Sequence, residues 1–590
     1  MSPRDEYRRR LTGVEEEIAR LRARDERIAN LRLFLFAGAL VLAALAWYWQ
    51  LFTGWWLAAP AVLFVALAIR HAQVQREWIR AERVAAHYRH ALARIEDRWA
   101  GLGQTGERFS DPHHVYAADL DLFGKGSLFD LLSTARTRAG EETLARWLLA
   151  PATLDEIRRR QACVEELASR LDLRRDLAIL GQESRVGVQP TALLDWCEST
   201  NLLNERWLKI LAVAMPIAAA IAVGVWAAWG WFVPFLIVLL LEGALLRSQS
   251  KRLGRILSET EHAFEDLNLL AQLPGRIERE PAESAALTSL IGRLSSHGIK
   301  ASNAISRLAT IVQFMESRRN FIIQVIALPT LYTLQVALAA ERWKRLHGHQ
   351  VRDWLDAIGE IEALLSLAAY RYEHPDDPMP KFVDGPGTFR ARALGHPLLA
   401  PRACVRNDVE IADPTRLLLI SGSNMSGKST LLRTIGINTV LAMAGAPVRA
   451  ASVELSALQV GASIRVNDSL QEGSSRFYAE ITRLRQLYEL TASSTPLLFL
   501  LDELLQGTNS HDRRAGAEGI VRAFVDRGAI GLVSTHDLAL TDLVPDGRLR
   551  NQHFEDEFTD GRLVFDFKLR DGVVNRSNGL ALMRSIGLDV

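Results

Sequence analysis

The 590-residue sequence holds only three cysteines, Cys163, Cys197 and Cys404, far apart in the chain. With no C-x-x-C pair and no His/Cys cluster at metal-ligand spacing, a disulfide framework and a zinc module are excluded, and the three read as reduced, buried cytosolic thiols. Charge of one sign is missing too: 70 Lys and Arg stand against 69 Asp and Glu, net +1. A chain this neutral does not by itself argue for nucleic acid, so a DNA ligand must rest on other observations. The third absence is local. From Leu33 to Ile69 there is no Asp, Glu, Lys or Arg.

Thr53-Gly54 divides that run into apolar pieces of 20 and 15 residues, close to the length that crosses a bilayer as a helix. Trp47, Tyr48, Trp49, Trp55 and Trp56 crowd the middle, where a hairpin would place its tip at the far interface. Arg22, Arg24, Arg27 and Arg32 precede the run, and Arg70, Arg76, Arg80 and Arg83 follow it, which puts both ends on the cytoplasmic side. The long charged N-region, with no small-residue cleavage site, argues against a signal peptide. A second pair, Ile210–Trp229 and Trp231–Leu241, is split by Gly230 and again bracketed by Arg and Lys. A third apolar stretch, Phe321–Ala340, carries Gln324, Gln335 and a central Pro329. A single crossing there would carry the nucleotide loop described next to the far side, so it reads as a buried soluble helix.

The sequence LLLISGSNMSGKST, residues 417–430, fits G-x-x-x-x-G-K-[ST] between an apolar β-type run and a helical pattern. Gly422, Ser423, Asn424, Met425, Ser426, Gly427, Lys428, Ser429 and Thr430 are thereby candidates to hold ATP. Backbone N–H groups curl around phosphate, Lys428 reaches the outer phosphates, and the Ser429 hydroxyl holds Mg²⁺. About 75 residues later the β-type run Leu497–Leu501 ends in Asp502-Glu503, the pattern in which Asp502 organises Mg²⁺ and Glu503 activates the attacking water.

Elsewhere helical periodicity dominates: over residues 1–30, over 71–108, from Leu128 to Leu148, at Leu253–Leu273 and Ala285–Arg318, and over Trp354–Tyr372. Two of these regions say more than periodicity does. The run with Thr137, Gly140, Leu144, Trp147, Leu148 and Pro151 resembles the start of the core, or lever, domain of the MutS family of DNA mismatch repair ATPases. The helix Trp354–Tyr372, followed by Pro375, Pro378 and Pro380, resembles the lever helix entering that family's ATPase domain. Asn424-Met425 matches the family's phosphate loop, Asp468–Phe477 its signature segment, and Gln506-Gly507-Thr508-Asn509 with Asp512 its R-G-T-S…D loop. Ser534-Thr535-His536 matches its histidine switch.

The resemblance implies that His536 senses the γ-phosphate and that Ser475 of one subunit covers the nucleotide of the other, so that a homodimer is the active unit. It implies DNA as the ligand. Arg476 and Gln506 depart from the family pattern, and Cys404 or Val405 stands where an aromatic often stacks on adenine. A membrane hairpin occupies the place of the mismatch-reading domain, so direct mismatch recognition is not expected.

The expected fold class is α-helical membrane hairpins and an α-helical core/lever domain followed by an α/β P-loop (ABC-type) ATPase domain. In order these are a charged helix (1–30), hairpin 1 (31–70), a helical linker (71–108), core domain first part (109–207), hairpin 2 (208–246), lever/core second part (247–380) and ATPase domain (381–590). The expected protein is a multi-pass ATPase of the inner or plasma membrane with its ATPase domain cytoplasmic and membrane lipid as a partner. The alternative is an ABC-type ATPase serving transport or scaffolding without DNA. The absence of the pump signature L-S-G-G-Q and the near absence of intramembrane charge apart from Glu242 weigh against transport.

Overall fold

A computed structural model describes residues 2–48, 54–184, 190–263, 267–295, 298–318, 320–423, 425–465, 476–505, 510–536, 547–559 and 562–573. The chain divides into two units, Met1–Gly103 with Tyr372–His374, and Gln104–Arg371 with Pro375–Val590.

The first unit is a helical hairpin of α1 (Pro3–Tyr48) and α2 (Ala58–Ile95). Its charged halves pair through Leu21, Val74 and Ala81, with Val14, Ile18, Ile28 and Trp78 packed around them. At the edge of the uncharged run, His71 contacts Asp25 at 2.7 Å and Arg32 at 2.6 Å, closing the polar part of the hairpin. Beyond Arg32 the side chains turn outward: Phe34 is 74% exposed and Trp55 86%. At the opposite end Arg94 donates two hydrogen bonds to the buried carboxylate of Glu373, at 2.7 and 2.5 Å. The Tyr7 hydroxyl adds a third at 3.2 Å.

The second unit opens with α3 (Leu128–Leu132), α4 (Arg138–Leu149), α5 (Leu154–Ala168), α6 (Leu171–Ser184) and α7 (Pro190–Glu198). Ser127, Thr137 and Thr153 cap α3 to α5, each side chain accepting a backbone N–H three residues on; each such cap is worth roughly 1 kcal/mol. A second hairpin follows, α8 (Arg206–Trp229) and α9 (Val233–Ala263), turned by Gly230 in the left-handed region. Then come α10 (Leu267–Ile277), α11 (Ala285–Arg293), α12 (Ala301–Ser317), α13 (Phe321–Ala327) and α14 (Tyr332–Glu373).

Here the structure corrects three expectations. The stretch Phe321–Ala340 is not one buried helix. Pro329 lacks an N–H and Leu331 takes φ +47°, so the chain turns between α13 and α14, and Phe321 (77%) and Ile326 (44%) are exposed. The helix expected over Trp354–Tyr372 begins about six turns earlier, at Tyr332. Of the three cysteines only Cys163 is buried; Cys197 and Cys404 are half-buried.

Helix α14 is the spine of the second unit. At Gly359 its backbone meets α4 so closely that a Cβ would stand 2.8 Å from the Ala139 carbonyl oxygen. One turn on, the buried Glu362 carboxylate accepts from the backbone N–H groups of Arg136 and Thr137 and from the Thr137 hydroxyl, a second cap on α4.

The remainder carries two sheets. β1 (Lys381–Phe382), β2 (Phe389–Leu394), β3 (Asn407–Ile411) and β5 (Ser452–Leu455) form a small sheet in the order β1-β5-β2-β3. The larger one contains β4 (Leu417–Ser421), β6 (Gln459–Ser463), β7 (Leu497–Asp502), β8 (Ile530–Thr535), β9 (Leu549–Thr559) and β10 (Arg562–Asp571) in the order β10-β9-β4-β8-β7-β6. All its pairings but β9–β10 are parallel. Runs such as LLLIS and the LLFLL of β7 are buried end to end because helices cover both faces of a parallel sheet. α15 (Lys428–Ala444), α16 (Arg476–Leu490) and α17 (Ser510–Asp526) supply that cover.

Candidate functional site

The site grows from the C-terminal ends of three adjacent parallel strands, where open α/β sheets place their ligands. β4 runs into the loop Gly422–Gly427 and then into α15; β8, beside it, ends at Thr535 with His536 following; β7, next again, ends in Asp502-Glu503. Register fixes their level, with Ser421 opposite Thr535 and Asp502 opposite Ser534.

Lys428 is the first residue of α15 and is 4% exposed; its ammonium donates to the carbonyls of Gly422 (3.0 Å) and Ser423 (2.8 Å). Burial lowers its pKa from the ordinary lysine value, and the charges of Glu503 and Asp502 partly restore it. The hydroxyls of Ser423 and Ser426 are buried in the loop with no hydrogen-bond partner among the described residues. Buried hydroxyls in that condition suit an incoming phosphate. Gly427 takes φ +103°, and a Cβ there would meet the Phe567 ring at 3.1 Å. Ser429 is half-buried in the first turn of α15, Thr430 is exposed, and the Met425 side chain is 84% exposed at φ +67°.

Ser534 holds both acids. Its hydroxyl donates to the Asp502 carboxylate and accepts the Glu503 N–H at 3.1 Å. Glu503 sits at φ +52°, a conformation a non-glycine residue keeps only when its surroundings impose it, as at functional sites. Its carboxylate lies 2.5 Å from His536 Nε2. A carboxylate only accepts, so Nε2 carries the proton, and the 3.4 Å separation from Lys428 Nζ is proximity rather than a bond.

Lys428, Asp502, Glu503 and His536, singled out in the sequence, thus lie together at one strand edge. Asn424, Ser475 and 506–509 lie outside the described residues. Two contributors escape the sequence reading. Ser534 reads there only as part of the Ser-Thr-His match. Phe567 belongs to β10, at the bulge between Phe565 and Leu569, and Asn407 pins it by donating to its carbonyl (3.0 Å) and accepting from Leu569 N–H (2.9 Å). The only available signal was the alternation in RLVFDFKLRD, which marks a strand but not what it faces.

Residues 418–589 match MutS domain V, and residues 115–194 match MutS domain III. Over these two stretches the chain is a MutS-family protein. It is 33% identical over 261 residues to a DNA mismatch repair protein MutS 2 of Halobacterium salinarum, an alignment covering 43% of this chain and 28% of that protein. It is 31% identical over 257 residues to a DNA mismatch repair protein MutS of Chloroflexus aurantiacus (41% and 26%), and 37% identical over 235 residues to an endonuclease MutS2 of Thermus thermophilus (40% and 30%). The chain therefore spans less than a third of the length of these relatives.

In this MutS-family chain the opening of domain III is stitched to domain V beside the site. Asp119, 3% exposed, accepts the backbone N–H groups of Ile464 (2.9 Å) and Arg465 (2.6 Å) just after β6. The Arg465 guanidinium donates to both oxygens of Asp121 at 2.6 and 3.2 Å, and Arg433 of α15 stands 3.7 Å from the same carboxylate. At the far end of α15, the Arg160 guanidinium donates to the Ala444 carbonyl at 3.4 Å and lies 3.9 Å over the Trp147 ring. The phosphate-loop helix is gripped along its length by domain III.

Proposed function

We propose that this chain is a membrane-anchored MutS-type ATPase that hydrolyses ATP at a site shared between two copies and couples the hydrolysis to movement of its helical lever on DNA. The observation that carries the reading is the convergence of Lys428, Glu503 and His536 on one phosphate loop.

On ATP binding, Lys428 exchanges the Gly422 and Ser423 carbonyls for phosphate oxygens, and the Ser423 and Ser426 hydroxyls gain acceptors to donate to. Phe567, held over Gly427, serves as the base platform that Cys404 and Val405 do not supply. Glu503 takes the proton of the attacking water once His536 turns from it toward the γ-phosphate. The Ser429 hydroxyl and Asp502 carboxylate are hard oxygen donors of the kind Mg²⁺ takes when phosphate and water complete its shell. Bound there, Mg²⁺ would neutralise charge on the phosphates. Ser475 of the second copy completes the site.

The membrane part rests on four helices, among the described residues, long and apolar enough to cross, within Pro3–Leu45, Trp55–Ile95, Arg206–Trp229 and Val233–Ser258. Their flanking arginines favour cytoplasmic ends and an inner or plasma membrane location, with the ATPase domain cytoplasmic. The DNA part rests on family membership. A branched or damaged structure is the proposed ligand.

Mixing two inactive variants, Lys428→Ala and Ser475→Ala, tests the shared site. A heterodimer then has one intact site if Ser475 acts across the interface, and ATPase activity is expected to return; no recovery refutes the shared site. Binding of the full chain in nanodiscs to duplex, junction and single-stranded DNA, with and without ATP across a salt series, tests the ligand. Absence of binding to all three at low salt removes DNA.

A further inference from the structure

We propose that α13 and the Phe314 end of α12 form a lipid-contacting foot that rests in the headgroup layer of an anionic membrane, beside the base of the second hairpin. The proposal rests on the reading of α8 and α9 as membrane-spanning.

Height along the hairpin is the first argument. The Gln335 amide donates to the Ala212 carbonyl of α8 at 3.2 Å and to the Thr330 carbonyl at 2.9 Å, fixing the α13–α14 turn at the level of Ala212. From Ala212 to the hairpin tip at Trp229 the helix rises roughly 26 Å at 1.5 Å per residue. That is close to the ~30 Å thickness of a hydrocarbon core. If the Trp229 and Trp231 end reaches the far interface, the α13–α14 turn lies at the near one.

Burial is the second. Leu331, Leu334 and Ala337 close a core with Leu208, Ala212, Leu253 and Ile256, so the start of α14 is packed firmly against the hairpin base. The Tyr332 hydroxyl donates to the Phe314 carbonyl at 2.8 Å and brings the end of α12 to the same level. Large apolar side chains nevertheless stay uncovered there: Phe314 52%, Phe321 77% and Ile326 44% exposed. Helix α13 carries no charged residue. Three outward apolar groups on a well-packed scaffold belong at an apolar boundary rather than in water.

Charge is the third. Arg206 and Lys209 on α8, Arg247 and Lys251 on α9, and Arg318 at the end of α12 lie in the segments bordering the same base, where Arg252 is already paired with Glu205 at 2.7 Å. Cations around an apolar foot suit the anionic headgroups of a cytoplasmic leaflet, with the rings entering the acyl boundary.

Spin labels on the full chain in liposomes containing anionic lipid test this. Labels go to Phe321→Cys, to Val213→Cys on the exposed face of α8, and to Arg485→Cys on α16, with Cys163, Cys197 and Cys404 replaced by Ser. Lipid-soluble O₂ is expected to collide with the labels at 321 and 213 several-fold more often than water-soluble nickel chelate, and the reverse is expected at 485. A lipid-like 213 with a water-like 321 overturns the foot and leaves the hairpin standing. A label at 321 shielded from both reagents means that protein covers it, and also overturns the foot. A water-like 213 overturns the hairpin and the foot with it.

Discussion

His536 Nε2 and Glu503 Oε1 stand 2.5 Å apart, so the candidate base and the candidate phosphate sensor hold each other. In the proposed mechanism this pair parts before Glu503 can take a proton from water. Glu503→Gln is expected to lower kcat by at least about 10²-fold, the usual worth of a general base, while ATP still binds. His536→Ala is expected to spare ATP binding too and to reduce kcat. Single-turnover hydrolysis with radiolabelled ATP separates the effects, and wild-type kcat in Glu503→Gln would remove Glu503 from the chemistry.

Phe567 gains its position from a bulge held by Asn407 and from the missing side chain at Gly427. Phe567→Ala is expected to raise the Kd for ATP by roughly 10-fold, about the value of one aromatic stack on a base. Asn407→Ala is expected to weaken binding in the same sense. Titration with a fluorescent ATP analogue reads both, and an unchanged Kd in Phe567→Ala would exclude the platform.

Asp119 and Asp121 differ in environment, and that sets an order between them. Asp119 is buried and satisfies two backbone N–H groups, so Asp119→Ala is expected to destabilise by roughly 1–3 kcal/mol. The Asp121–Arg465 pair is 37% and 47% exposed at its side chains, and Asp121→Ala is expected to cost under about 1 kcal/mol. Chemical denaturation of the two variants checks the ranking.

In the first unit, Arg94 and Glu373 are both buried and their carboxylate–guanidinium contact is two-pronged. Removing one partner leaves a charge without its counterion, so Glu373→Ala is expected to cost on the order of 3–5 kcal/mol. Limited proteolysis of the hairpin base, compared between wild type and variant, reports the loss. Equal protection in both would contradict the expected cost.

Burial, reinforced by the Arg433 charge, lowers the His396 pKa to about 4 against an ordinary 6.5. The unfolded chain therefore takes up a proton first as pH falls. The stability His396 permits is complete above about pH 6.5 and declines toward pH 4, by about 3 kcal/mol at most. His114, also lowered by burial, acts in the same direction. Denaturation midpoints between pH 7.5 and 5 are expected to fall, and to fall less in His396→Asn.

What the sequence made legible was whatever chemistry concentrates into short runs. The phosphate loop, the acid pair after β7 and His536 after β8 are each contiguous with a buried strand, and parallel pairing then brings them to one edge. The family words around Thr137 and Trp147 likewise sit within one helix and its cap. Partners separated by long stretches of chain were not legible. Phe567 lies far beyond the loop it covers, and Glu362 caps α4 from the middle of α14. The stretch Phe321–Ala340 misled because composition alone does not reveal that Leu331 turns left-handed after Pro329, leaving Phe321 outside and Leu334 inside.

The Asp119 contact with Ile464 spans 345 residues of chain. At ribosomal speeds of 5–20 residues per second, roughly 17–70 s pass between the synthesis of that carboxylate and of the amide that satisfies it. The first apolar hairpin precedes Asp119 in the chain and the second is made within that interval, while Asp119 still lacks its partner. If the hairpins enter a membrane as proposed, insertion precedes consolidation, and a chaperone that shields the nascent helices would be needed most in that window.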